Sequence, residues 1–161
     1  MTSPRNVVVR AASARDIDEV AALEQVAFSD PWSRTAFAQL VANPAVLFLV
    51  ARQLDPGGPD PLLGYVAAWF AADESEIANL AVAPTARGRG VGATLLDAAL
   101  AEVIRRNAAM TYLEVRESNV VARRLYASRG FTELGRRRKY YQRPIEDALV
   151  LGRPTTVATP A

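Results

Sequence analysis

The stretch Asn79-Leu80-Ala81-Val82-Ala83-Pro84-Thr85-Ala86-Arg87-Gly88-Arg89-Gly90-Val91-Gly92 decides the fold. It begins as an apolar strand, turns at Ala83-Pro84, and passes through an Arg/Gly loop into a long amphipathic helix. That helix is predicted over 90–106, with Leu95, Leu96, Ala99, Leu100 and Val103 at the spacing of one buried face. Glycines at a strand-to-helix turn let backbone N–H groups approach an anion without side-chain obstruction. The helix N-terminus adds partial positive charge at the same place. Each glycine weakens the helix start by about 1 kcal/mol relative to alanine, a cost that a bound anion explains. Gly88, Gly90 and Gly92 beside Arg87 and Arg89 describe a pyrophosphate cradle; a flexible turn without a ligand is the alternative.

A rival pattern overlaps the same residues. Gly88-x-Gly90-x-x-Ala93 fits the dinucleotide fingerprint, and Glu114 follows at about the twenty-residue distance of a ribose-binding acid. In that fingerprint the first glycine ends the strand directly, whereas Pro84 to Arg87 intervene here. The preceding residues also carry helices and a hairpin, which leaves too little chain for a second mononucleotide half. The nicotinamide reading is set aside on that spacing.

Working outward, Val7 to Arg10 reads as a first strand. Ser13, with Asp16 three positions on, caps a helix carrying Ile17, Val20 and Leu23 that runs to about Phe28 and breaks at Asp30-Pro31. Ser33 caps a second helix carrying Phe37, Leu40 and Val41, which ends at Asn43-Pro44. Residues 46–52 and 62–70 form a strand pair around a Pro/Gly-rich loop at 55–61. Asp73 to Glu76 reads as an acidic turn before a fourth strand at 77–82. A fifth strand spans 110–115, a helix capped by Ser118 or Asn119 ends at Gly130, and residues 132–141 and 146–151 close the fold. The predicted order is β-α-α-β-β-β-α-β-α-β-β: an α/β fold with helices on both faces of a mixed sheet. Two βαβ units are expected to supply its parallel part. One domain is expected over 1–152, with a disordered tail at 153–161.

The chain has 161 residues, half of them hydrophobic, which suits one globular domain. It contains no cysteine and no histidine. Disulfides, thiolate or histidine metal sites, Ser-His and Cys-His nucleophiles and a histidine base are therefore excluded. No metal is expected, and acid–base chemistry falls to Asp, Glu, Tyr or Lys139. No apolar run of spanning length or signal pattern occurs, so the expected location is the cytoplasm, away from membranes. Formal net charge is +2 with a sequence pI of about 9.3, carried almost wholly by arginine. The run Arg136-Arg137-Arg138-Lys139 reads as a solvated strand edge rather than a nucleic-acid stripe.

Arg87-Gly88-Arg89-Gly90-Val91-Gly92 resembles the Arg/Gln-x-x-Gly-x-Gly/Ala loop of the GCN5-related N-acetyltransferases (GNAT), which binds acetyl-coenzyme A. The likeness extends to Leu113-Glu114-Val115-Arg116-Glu117-Ser118-Asn119, Leu125-Tyr126-Ala127-Ser128-Arg129-Gly130-Phe131, Arg138-Lys139-Tyr140-Tyr141 and Glu146-Asp147-Ala148. With Asp30-Pro31-Trp32-Ser33 it resembles the branch of bacterial ribosomal-protein-alanine N-acetyltransferases, over roughly residues 7–151. The resemblance implies the GNAT fold: a mostly antiparallel, twisted sheet of about seven strands with four helices. It implies that Leu80, Ala81 and Val82 hold the pantetheine arm through their backbone, like an added strand. It further implies that Arg87, Gly88, Arg89, Gly90, Val91, Gly92 and Ala93 bind the pyrophosphate and that Asn119 contacts the coenzyme near its thiol end. Glu114 would be general base and Tyr126 general acid, and the acceptor a protein N-terminus, most simply the alanine of a small-subunit ribosomal protein.

The chemistry is consistent with those residue types. An α-ammonium has a pKa of about 7.7–8.0, so a carboxylate beside the thioester is a suitable acceptor for its proton. Glu114 alternates with Tyr112 and Arg116 on one face of its strand, with Leu113 and Val115 on the other. An ion pair with Arg116 or Arg123 would be its structural alternative. A thiol near 8.5 and a tyrosine near 10 make proton transfer from Tyr126 uphill by ~2 kcal/mol, so Tyr126 is either an acid or a hydrogen-bond donor to the thiolate; as a plain core residue it would pack between Leu125 and Phe131. Trp32 and Tyr141 could wall a peptide groove, and Asp73, Glu74 and Glu76 could draw in a cationic peptide end. Acetylation of lysines or small amines, and a catalytically silent coenzyme-binding module, remain open on these residues.

Overall fold

The computed structural model describes residues 6–55, 57–58 and 60–155. The expected tail beyond 155 and part of the Pro/Gly loop therefore lie outside the described residues. The strands are β1 (Val7–Ala11), β2 (Val46–Gln53), β3 (Leu62–Ala71), β4 (Glu74–Val82), β5 (Met110–Arg116), β6 (Thr132–Gln142) and β7 (Ile145–Pro154). The α-helices are α1 (Ile17–Ala27), α2 (Arg34–Ala42), α3 (Val91–Arg105) and α4 (Val120–Ser128). All seven strands form one sheet in the order β1-β2-β3-β4-β5-β7-β6. Every pairing is antiparallel except β4 with β5, which α3 joins as a crossover.

Alternation along the strands divides the apolar residues between two cores. Val66, Ala68, Ile77, Leu113, Val115, Leu149 and Leu151 pack with α3 and α4 on one face. Val46, Phe48, Val50, Tyr65 and Ala67 pack with α1 and α2 on the other. Two residues outside the helices fix their starts: Ser33 Oγ accepts from the Ala36 amide at 3.1 Å, and Asn119 Oδ1 accepts from the Ala122 amide at 3.1 Å. Asp16, in the turn before α1, is buried and receives Arg10 at 2.8 Å, Arg52 at 2.7 Å and the Ser13 amide at 2.8 Å. Burial alone would raise its pKa; the two guanidinium groups and the amide hold the carboxyl far below its usual range.

Three expectations are corrected. Glu74, Ser75 and Glu76 belong to β4 and not to an acidic turn, because the chain reverses earlier, at Ala72, whose φ is 53°. Among the described residues only one direct parallel pair exists: β7 inserts between β5 and β6, so the strands flanking α4 do not pair. The last strand runs past 152, with Arg153 opposite Thr111 and Pro154 opposite Met110.

Candidate active site

β4 and β5 pair only from Glu74–Met110 to Ile77–Leu113. Beyond that point β4 continues to Val82 beside β3, and β5 continues to Arg116 beside β7. The two central strands therefore diverge, and among the described residues the edge of β4 over Asn79–Val82 has no strand partner on its β5 side. The divergence coincides with an irregularity in β4: Ala67 faces Asn79 while Ala68 faces Ile77, so Ala78 is an extra residue. An open strand edge inside a sheet offers backbone donors and acceptors to an extended amide-containing ligand. Leu80 and Val82 point partly exposed side chains toward the α3 core, and Ala81 is buried on the α1–α2 side.

The loop into α3 completes the track. Gly88 (φ 76°) and Gly90 (φ 80°) adopt the left-handed conformation that L side chains disfavour. Gly90 caps α3 with no side-chain acceptor, so the first N–H groups of the helix, at Val91, Gly92 and Ala93, are left for an external acceptor. The Val91 and Ala93 side chains are buried, so only their backbone can take part. A Cβ on Gly88 would meet nothing within 4 Å, whereas one on Gly92 would lie 3.5 Å from Val82 and 3.6 Å from Leu125. The helix start thus borders both the open edge of β4 and α4. Arg87 is exposed, and Arg89 reaches Gln53 Oε1 at 2.7 Å. The open edge, the exposed glycine loop and the unfilled helix N-terminus together fit a pantetheine arm followed by a pyrophosphate.

Glu114 stands on β5 one residue past the last β4–β5 pair, on the α1–α2 face of the sheet. Its side chain is 18% exposed and pairs with Arg137 at 2.8 Å, rather than with Arg116 or Arg123. Arg116 instead binds Glu146 at 3.2 Å and Ser29 Oγ at 2.9 Å, and Arg123 donates to the Glu117 carbonyl. Arg137 reaches Glu114 because β6 bulges between Arg137 and Tyr141, with Lys139 at φ 51° and its amide on Asp147. The same bulge brings Tyr140 to Glu114, and hydrogen bonding to that carboxylate raises the Tyr140 phenol. Burial, then the Glu114 charge, pushes Tyr141 up to about 12. Glu76 lies on the neighbouring strand; partial burial and the Glu114 charge raise its carboxyl, against the pull of Arg137.

Tyr126 is buried on α4, 5.7 Å from the Phe131 ring. Among the described residues no side chain hydrogen-bonds its hydroxyl. Burial, with a smaller contribution from Tyr141, holds the phenolic proton well above the ordinary tyrosine range. Asn119 uses Oδ1 as the cap of α4. Trp32 packs on Phe37 at 5.6 Å and Trp69 at 5.9 Å, forming a wall on the α1–α2 side. Sequence reasoning missed the contact of Arg137 with Glu114; its solvated strand edge at 136–139 is what β6 forms, an exposed last strand of the sheet on which Arg136 also binds Glu117 and Asp147, each at 2.9 Å. No group of side chains suited to a metal is found among the described residues, nor a helix long and apolar enough to cross a membrane.

Residues 17–131 match the acetyltransferase (GNAT) family. The chain is 34% identical over 137 residues to the [ribosomal protein bS18]-alanine N-acetyltransferase of Escherichia coli K12, covering 84% of this chain and 88% of the relative. It is 32% identical to the protein of that name from Salmonella typhimurium, over 90% and 95% of the two chains. The crystal structure of the ribosomal-protein-S18-alanine N-acetyltransferase from Escherichia coli superposes with a TM-score of 0.82 at 30% identity, covering 95% and 96%. A NatC complex bound to Gag peptide and CoA shares the fold, with a TM-score of 0.84 at 23% identity.

Proposed function

The chain belongs to the acetyltransferase (GNAT) family, and from that premise we propose that it acetylates the α-amine of a protein N-terminus, specifically the N-terminal alanine of a small-subunit ribosomal protein. It is an acetyltransferase, and acetyl-coenzyme A is its donor. The acceptor is inferred from the named E. coli relative, matched over most of both chains. A ribosomal acceptor would place the reaction in the cytoplasm.

The observation that carries the chemistry is the position of Glu114, immediately past the point where β4 and β5 separate. In this reading the pantetheine arm lies along Leu80–Val82, the pyrophosphate meets Arg87, Gly88, Arg89 and the N–H groups from Gly90 to Ala93, and the Asn119 amide nitrogen faces the thiol end. The α-ammonium displaces Arg137 and gives its proton to Glu114. The freed nitrogen forms a bond to the acetyl carbon, the carbon–sulfur bond breaks with its electron pair going to sulfur, and the nitrogen loses its second proton to the departing thiolate, giving the amide and the free thiol. Tyr126 donates a hydrogen bond to that developing thiolate. Its buried hydroxyl holds its proton too tightly to transfer it readily to a thiolate whose conjugate acid lies near 8.5.

The acceptor is tested by following thiol release with acetyl-coenzyme A and a panel of amines. A peptide with a free N-terminal alanine should turn over, and the same peptide blocked at its α-amine should not. Equal rates with an internal-lysine peptide or a small amine would refute α-amine selectivity. No release with any amine would leave a coenzyme-binding module.

A further inference from the structure

Glu24 is a carboxylate in the middle of an apolar core, 1% exposed among Val20, Leu23, Phe37 and Val50. A buried carboxyl is costly unless satisfied, and burial raises its pKa. Its partners come from three separate parts of the chain. The Tyr65 hydroxyl, on β3, donates to Oε2. The Trp32 amide, between α1 and α2, donates to Oε1 at 3.1 Å, and Asn79 Nδ2, on β4, donates to the same oxygen at 2.9 Å. Asn79 Nδ2 also lies 3.2 Å from the Tyr65 hydroxyl. Filling this volume would require only a leucine or methionine.

The placement of the donors gives the carboxylate a task. Asn79 follows the extra residue Ala78 and stands two residues past Ile77, the last residue of β4 paired with β5. Trp32 belongs to the segment 28–33, which crosses the α1–α2 face beside the divergence. Besides the packing of Trp32 on Phe37 and Trp69, the segment has polar side-chain ties toward the sheet from Arg116 to Ser29 at 2.9 Å and from Arg143 to Asp30 at 4.0 Å, both exposed and open to screening by salt. The Glu24 carboxylate is the buried polar tie.

We propose that Glu24 is a positioning residue for acetyl transfer: its carboxylate fastens the Trp32 segment to the start of the open β4 edge, setting the acceptor wall and the coenzyme track in one register. This deepens the proposed function and rests on its placement of the active site where β4 and β5 diverge. Two substrates held by two independently mobile walls would miss each other, and a displacement of about 1 Å costs on the order of a hundredfold in rate.

The test compares Glu24→Met, Glu24→Gln and Asn79→Ala by thermal melting, acetyl-coenzyme A calorimetry and steady-state kinetics with the N-terminal-alanine peptide. Methionine keeps the length and removes all three bonds. Glutamine keeps an oxygen for the Trp32 and Asn79 donors and turns its amide to the Tyr65 hydroxyl, which then accepts. Glu24→Met should raise the acceptor KM about tenfold or more and weaken acetyl-coenzyme A at least about threefold, through lost preorganisation. Glu24→Gln should restore both constants to within about twofold of wild type. Should Glu24→Met not fold, Asn79→Ala still tests the tie: it releases only the β4 end, and should weaken acetyl-coenzyme A at least about threefold with a smaller change in acceptor KM. A folded Glu24→Met or Asn79→Ala with wild-type constants would show that Glu24 only fills the core. Glu24→Gln as impaired as Glu24→Met would overturn the geometric role. Wild-type protein that binds the coenzyme but acetylates no α-amine would sink the functional reading alone, since coenzyme affinity of the variants still reports on Glu24.

Discussion

In the proposed reaction, burial of Tyr126 selects between two roles that residue type leaves open. A tyrosine near pKa 10 facing a thiol near 8.5 could be an acid or a hydrogen-bond donor; burial raises the phenol and favours the donor. Tyr126→Phe keeps the contact with Phe131 and removes only the hydroxyl. Turnover should fall by roughly 10²–10³-fold, the scale of losing one donor to a developing anion. The deficit should persist at high pH and shrink with an acyl donor whose thiol is more acidic, since that thiolate leaves unaided. Full activity in Tyr126→Phe would make Tyr126 a core residue. Glu114 itself was legible in the sequence, as an ionisable residue alternating within an apolar strand. Its partner was not: Arg137 arrives through a bulge in β6, and no local periodicity marks which residue a bulge will redirect.

At the scale of elements, the helices and most strands follow from periodicity and caps, and Ser33, Asn119 and the Gly88–Gly92 loop stand where those signals put them. The start of β4 escaped because Asp73-Glu74-Ser75-Glu76 carries no β-branched or aromatic residue; cross-strand pairing with β3 and β5 overrides that preference. The insertion of β7 between β5 and β6 is a long-range choice that short windows do not encode. The loop before α3 offers a direct test of its anion site. Gly90→Asp places a carboxylate at the helix start where a pyrophosphate is expected, and also forces a side chain onto φ 80°. Calorimetry should show acetyl-coenzyme A affinity falling by about tenfold or more, ~1.4 kcal/mol. Gly90→Asn, which tolerates the left-handed conformation without the charge, should lose much less. Unchanged affinity in a folded Gly90→Asp protein would remove the loop from the site.

For the whole molecule, the proposed site rests on a sheet that is continuous at one end and divided at the other. β4 and β5 are bound together up to Ile77 and Leu113; beyond them β4 has an open edge, the proposed coenzyme track, and β5 carries Glu114, the proposed base. The sequence holds both halves as motifs, but where two strands part is a property of their pairing and not of either strand. The division of labour can be measured on a single variant, Glu114→Gln, which keeps the shape of the side chain and cannot accept the proton. Acetyl-coenzyme A affinity should stay within about twofold of wild type, while turnover with the N-terminal-alanine peptide at neutral pH falls by roughly 10²–10⁴-fold. The deficit should narrow as pH rises through about 7.7–8.0, where the acceptor arrives already deprotonated. Wild-type turnover in Glu114→Gln at neutral pH would contradict the account: the carboxylate would then be a structural partner of Arg137, and another group would take the proton.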